Sequence, residues 1–464
     1  MRTCIALTVV LGALTVASCD SLDVLDLNNP GLDDLQSNPT PGAVNSAAAG
    51  LLVGARGNVR GFGSQNGYVS MLGILGRESY NFDPADPRFV TEMLIGPLDG
   101  GSPAFGGNLW DDHFANIRNA NIVLNAVEVV AGMSDAEKEG VRGFAKTIQA
   151  LDFLHVMNTR DAFGAPIDVD IDPTGHPAPI VSKAEVFAHI QQLLDEGQGH
   201  LQSAGSAFSF GLSSGFAGFD TPATFLTFNR ALKARVEIYL GDFGQALTEL
   251  GASFLDTGMP LDMGVYHVFS TRSGDRTNNL FDPNARAIHA HPSLETDAQL
   301  QAGGMPDLRV QTKIKKLDGG PVTVQSITTD IQFTIYKSEV APIPIIRNEE
   351  LILLRAEANL GLSNLPEALV DIDFIRVNAG GLDPYAGPVD QASLLDELLY
   401  NKRYSLLFEG GHRWIDLRRY GKLGELPRDL PTHTVFDRYP FPIAECDARV
   451  PTPSQGCSPV SGTP

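Results

Sequence analysis

ARVEIYLGDFGQAL at 234–247 and AEANLGLSNLPEAL at 356–369 are two copies of one pattern set 122 residues apart. Ala234 corresponds to Ala356, Leu240 to Leu362, Ala246 to Ala368 and Leu247 to Leu369. Each copy closes one helix, turns at Gly241-Asp242 or Ser363-Asn364, and opens another. The small residues let paired helices approach, and Leu and Phe fill the groove between them. That is the chemistry of a TPR-like helical hairpin. In the second copy Pro366 falls in a first helical turn, where its missing N–H costs nothing. Ala368, Ile372, Ile375 and Ala379 then share one stripe, and Gly380-Gly381 end it.

Helical patterns extend outward from this pair. Residues 113–130 place Phe114, Ile117, Leu124 and Val127 on one face, with Asn121 inside the stripe as a structural amide. Ser134 with Glu137, and Ser182 with Glu185, are capping boxes opening helices that run to about Asn158 and Gln202. A further helix starts at Ser393, with Leu395, Leu399 and Leu406 on a common face. Residues 50–108 are Gly-rich, carry Tyr68, Tyr80, Phe62, Phe82, Phe89 and Phe105, and lack helical periodicity. Residues 205–228 and 261–340 are likewise loop-like. Long loops in a compact domain are usually functional or disordered. The expected fold is all-α: a TPR-like scaffold at about 111–260 and 345–425, with an irregular lobe at about 50–110 and 261–344.

Hydrophobic residues make up 43% and charged residues 19% of the 464, enough apolar content for a sizeable core. The net charge of −21 argues against nucleic acid, whose phosphates need a basic face. Arg2 and the apolar run from Cys4 to Val16 read as a signal peptide, residues 1–18. Val16-Ala17-Ser18-Cys19 reads as a lipobox, which makes Cys19 the acylated first residue of the mature chain. An acidic tether, 19–40, leads to one domain, 41–464. No other apolar run is long enough to span a membrane. With Cys4 removed and Cys19 lipidated, Cys446 and Cys457 remain for a disulfide in an oxidising compartment, the other reading being two free thiols.

Two stretches carry a family resemblance: PIPIIRNEELILLRAEA at 342–358 and FEGGHRWIDLRR at 408–419. Both resemble the C-terminal signature of the SusD/RagB family. LWDDHFANIRNANIVL at 109–124, ALDFLHVMNTRDAFGAPI at 150–167 and Asp307-Leu308-Arg309 are similar to further family segments. Asn401-Lys402-Arg403 departs from the family's usual Glu-Arg-Arg, and the tail with Cys446 and Cys457 replaces its Asn-Pro-rich ending. The resemblance implies a lipid-anchored outer-membrane protein. Such a protein binds an oligomeric nutrient, mostly glycan, for a SusC-like TonB-dependent barrel, without cofactor and without catalysis.

Other motifs weigh less. The dense run from Glu409 to Arg419 is a set of structural ion pairs around a core Trp414. The carboxylates Asp168, Asp170 and Asp172 hint at calcium. An EF-type loop needs Gly at position 6 and Glu at position 12, and Gly175 and Pro179 stand at positions 8 and 12. His289 and His291 lack a third ligand nearby in sequence, so no residue is assigned to a metal. No nucleophile elbow, phosphate loop or dinucleotide fingerprint occurs. Tyr68, Tyr80 and Tyr266, with Asn66, Asn81 and Arg276 nearby, are the expected sugar-stacking platforms, because a Tyr hydroxyl can stay wet while its ring stacks. Two other functions fit less well: a protein-docking scaffold without a small ligand, and a surface hydrolase.

Overall fold

The computed structural model describes residues 32–57, 61–101, 109–171, 175–449 and 455–463. Twelve of its helices carry the account. They are α1 (Leu32–Ser37), α2 (Pro41–Ala55), α3 (Tyr68–Leu75), α4 (Asp111–Val129), α5 (Asp135–Arg160) and α6 (Lys183–Ser203). α7 (Pro222–Leu240), α8 (Phe243–Gly251), α9 (Asn348–Gly361), α10 (Leu365–Asn378), α11 (Gln391–Ser405) and α12 (His412–Arg419) complete the set. Strands are few and short. β1 (Ser79–Asn81) pairs antiparallel with β3 (Ile288–Ala290), and β2 (Gly264–His267) with β4 (Ile343–Arg347). The all-α, TPR-like expectation holds.

The repeat copies form α7–α8 and α9–α10. Gly241 takes a left-handed conformation, φ 77°, which ends α7 and lets Asp242 cap α8 by accepting from Gln245 N. The copies touch where Gly361 meets the Phe243 ring; a Cβ built there would lie 2.2 Å from Phe243 Cδ2. Both predicted capping boxes form: Ser134 Oγ accepts from Glu137 N, and Ser182 Oγ from Glu185 N. Gly143 and Gly197 bring α5 and α6 close, and Asn229 Nδ2 on α7 donates to Thr147 Oγ1 at 2.7 Å across that contact.

Apolar residues gather in three clusters among the described residues. One fills the helical scaffold from Leu35 to Leu250 and takes in Val265, Ile346, Leu354 and Phe441. Another underlies the lobe around α3, Phe408 and Trp414. A third joins α9, α10 and α11 through Ile352, Ile372 and Leu398. The 408–419 motif is structural as expected. Trp414 is buried and donates Nε1–H to Phe436 O at 2.7 Å; Arg347 Nε donates to Glu409 Oε2 at 2.9 Å. Cys446 and Cys457 are joined in a disulfide.

The 50–108 stretch departs from the loop reading at three places, one of them the helical segment 88–95. α2 continues to Ala55, and 68–75 is a helix with every residue buried. YVSMLGIL shows no amphipathic period because apolar neighbours cover it on all sides. α1 is a helical turn inside the expected tether; Cys19 and residues 1–31 lie outside the described residues.

Candidate functional site

A cleft of about 940 Å³ lies on the lobe. Three segments line it: Ser64 to Asn66, Asn81 to Phe89, and Asn279 to Ala287. The β1–β3 pair holds the last two together, since Asn81 pairs with Ile288 and Phe82 N donates to Ala287 O at 2.8 Å. Asn81 locks the first segment to the second. Its Nδ2 donates to Gln65 O and its Oδ1 accepts from Asp83 N, both at 2.9 Å. Asn279 N donates to Gly63 O at 2.7 Å and closes the ring of segments.

The cleft walls are amides, carboxylates and one guanidinium. Asn279, Asn284 and Arg286 are exposed; Gln65, Asn66 and Asp282 are half-buried. Asp282 Oδ2 accepts from Ala287 N at 3.0 Å and Ile288 N at 3.3 Å, which fixes the 282–287 turn. Within that turn Ala285 adopts φ 43°, a conformation that costs a residue with a Cβ and persists only where its surroundings hold it. Asp86 is gripped by Arg88, Nε to Oδ1 at 2.8 Å and Nη2 to Oδ2 at 2.7 Å. That fork, against the upward push of partial burial, keeps the Asp86 carboxyl below its ordinary value. Of the two rings in the lining, Phe281 is half-buried and Phe89 is buried. A second hollow of about 240 Å³ shares Phe281, Asp282 and Pro283 and adds Lys315, Gln332, Phe333 and Lys337. The 281–283 segment is therefore a ridge between two adjoining depressions.

The expected platforms sit elsewhere. Tyr68 is 2% exposed; its ring stacks on Phe62 at 4.7 Å and its hydroxyl accepts from Asn158 Nδ2 at 2.9 Å. Tyr80 is 1% exposed and stacks on Phe82 at 5.3 Å. Neither presents a face to solvent, so the structure corrects both assignments: an apolar helix and a covered strand bury them. Tyr266 is half-buried in β2, donates to Asp262 O, and does not line the cleft. Asn66 and Asn81 do line it. Phe281, Asn279 and Arg286 were missed because a run of turns carries no periodicity; the polar string NNLFDPNAR at 278–286 was the available signal.

Asp170 accepts from Asn125 Nδ2 at 3.1 Å, and Asp172 lies outside the described residues. His289 Nδ1 contacts Ala287 O at 3.0 Å, whereas His291 Nε2 faces Asp429 Oδ1 at 3.3 Å. The two imidazoles serve separate neighbours.

The structure is a helical-hairpin scaffold carrying a polar, loop-built cleft. Residues 310–449 match the model of the SusD family. A SusD superfamily protein from Bacteroides vulgatus superposes with a TM-score of 0.68 at 16% identity, over 90% of this chain and 99% of that one. A SusD-like carbohydrate binding protein from Bacteroides fragilis gives 0.65 at 14% identity, over 85% and 88%. A laminarin binding SusD-like protein gives 0.59 at 17% identity, over 90% and 98%. Among curated proteins no sequence matches the chain. The family model thus takes in both 342–358 and 408–419, the stretches that carry the resemblance, and the solved structures share the fold.

Proposed function

We propose that the protein binds an oligosaccharide in the lobe cleft and passes it to a TonB-dependent outer-membrane barrel, without chemistry of its own. The carrying observation is the lining of the cleft: side-chain amides, Asp282 and Arg286 to take hydroxyls, beside the half-buried Phe281 ring. Two hollows sharing one ridge suit a ligand of several sugar units better than a single ring. Two of the structural neighbours are named for carbohydrate or laminarin binding, which supports the same class of ligand.

Anchoring through acylated Cys19 holds the domain at the membrane surface; among the described residues no helix is long and apolar enough to cross a membrane. The barrel docks on the helical face. On α10 Val370 and Val377, two turns apart, are 67% and 44% exposed. The domain boundaries 1–18, 19–40 and 41–464 belong to this reading.

A glycan panel tests the ligand class, and co-extraction from native envelopes tests delivery. The reading predicts glycan binding without turnover, an acylated Cys19 by mass spectrometry, and a TonB-dependent barrel in the extract. Protein partners alone, with no glycan bound, would favour the docking-scaffold function. Product release would make the protein a hydrolase.

A further inference from the structure

His113 on α4 and Asp152 and His155 on α5 converge in the interior, each buried, with one ligand atom from each lying within 4.8 Å of the others. Asp152 and His155 are three residues apart on one helix, so both side chains project from the same face. An acidic residue three before a His, facing a ligand on a neighbouring helix, is the arrangement by which helical bundles build metal sites. His113 Nδ1 stands 2.9 Å from Asp152 Oδ1. Asn116, one turn along α4 from His113, donates Nδ2 to Asp152 Oδ2 at 2.7 Å and so turns Oδ1 toward the histidines. Gly54 makes room for Asn116: a Cβ built there would lie 1.8 Å from Asn116 Oδ1.

His155 is 5% exposed and its Nδ1 has no hydrogen-bond partner, an arrangement that costs stability in a buried polar atom. Phe62 and Tyr68 close the cluster toward the lobe, their rings 4.9 and 5.1 Å from that of His155. His267 of β2 packs on Phe62 at 4.5 Å, and its buried Nε2 is also without a partner.

We propose that His113, Asp152 and His155 form a zinc site that clips the α4–α5 pair at its junction with the lobe. Two imidazoles and one carboxylate are the donors zinc prefers, whereas calcium and magnesium demand oxygens throughout. Zinc bonds of about 2.0–2.2 Å set tetrahedral ligands about 3.4 Å apart, so the 2.9 Å contact of His113 Nδ1 with Asp152 Oδ1 opens by about 0.5 Å as the three donors, all within 4.8 Å of one another, gather round the ion. The proton that His113 shares with Asp152 leaves to solvent as the metal enters, and the lone Nδ1 of His155 gains its partner. Asn116 is the positioning residue that holds Asp152. The site is separate from the glycan cleft and stands whether or not that reading does.

The test is metal analysis of the purified chain after chelation and refolding with Zn²⁺, together with anomalous diffraction at the zinc edge. One zinc per chain, with the anomalous peak between His113, Asp152 and His155, is expected. Asn116→Ala should weaken zinc binding by about 10–100-fold, and His155→Gln should abolish it while circular dichroism still reports a folded chain. Where His155→Gln does not fold, the position of the anomalous peak decides. A folded wild type that takes no zinc, a peak elsewhere, or unchanged stoichiometry in folded His155→Gln would overturn the site and leave an ordinary buried His–Asp–Asn network.

Discussion

Arg235 forks onto Glu350: Nε meets Oε1 at 2.7 Å and Nη2 meets Oε2 at 2.8 Å. The pair joins α7 of the first hairpin copy to α9 of the second, and Arg235 also donates to Ile345 O at 2.6 Å in β4. Burial alone would raise the Glu350 carboxyl; Arg235 and the neighbouring His412 hold it below its ordinary value. Removing one partner strands a buried charge. Glu350→Ala is expected to cost about 3–5 kcal/mol, read as a lowered denaturation midpoint. A cost below about 1 kcal/mol would mean that the pair does not tie the copies together.

Tyr68 behaves as core. Its ring lies between Phe62 and the α5 side chains, and Asn158 donates to its hydroxyl. Tyr68→Ala should cost about 3–5 kcal/mol, as buried aromatic truncations do. Tyr68→Phe keeps the ring and leaves only Asn158 short of a partner, a loss of about 1–3 kcal/mol. Chemical denaturation of both variants checks the order, and a Tyr68→Ala melting curve that matches wild type would return the residue to the surface.

Glu78 makes the fold sensitive to a rise in pH from the acidic to the neutral range. Burial pushes its carboxyl from 4.5 up to about 7, against the pull of Arg413 and Arg403. A carboxyl raised on folding stabilises the protein fully below its unfolded value, and that contribution is lost as pH rises through the folded value. Stability from this group is therefore present below about pH 4.5 and lost through about pH 7. The loss is on the order of 3 kcal/mol when complete. Glu78→Gln should melt like wild type at pH 4.5 and above it at pH 8. Parallel curves at every pH would contradict this.

Much of the scaffold was legible because helices advertise themselves locally. Ser134 with Glu137 marks a start, Gly241 a stop, and Ile372 with Ile375 a buried face, all within one or two turns of chain. Even there Asp390, which caps α11 by accepting from Ala392 N and Ser393 N, shifted the start ahead of the Ser393 expected. The cleft was hidden for a physical reason. Asn66, Asn81 and Asn279 come from segments up to about two hundred residues apart, brought together by the β1–β3 pair of only three residues per strand. Tyr68 and Tyr80 misled because residue type was read without cover. A Tyr in an unbroken apolar run is core, whereas the exposed amides of 278–286 had no pattern to announce them. His113 and His155 escaped notice because the contact between α4 and α5 sets their distance, not spacing in one segment.

The proposed sugar site is the 281–283 ridge with Arg286 beside it in the larger hollow. Phe281→Ala removes a stacking face worth about 1 kcal/mol, and Arg286→Ala removes an exposed fork beside it. Calorimetric titration of wild type and the double variant, with the best oligosaccharide from a glycan panel, measures it directly. Wild type should bind saturably and without turnover. Binding should weaken about tenfold or more in the double variant, since roughly 1.4 kcal/mol is tenfold, at an unchanged melting temperature. Equal affinity in both proteins, or no binding by wild type to any member of the panel, would contradict this site.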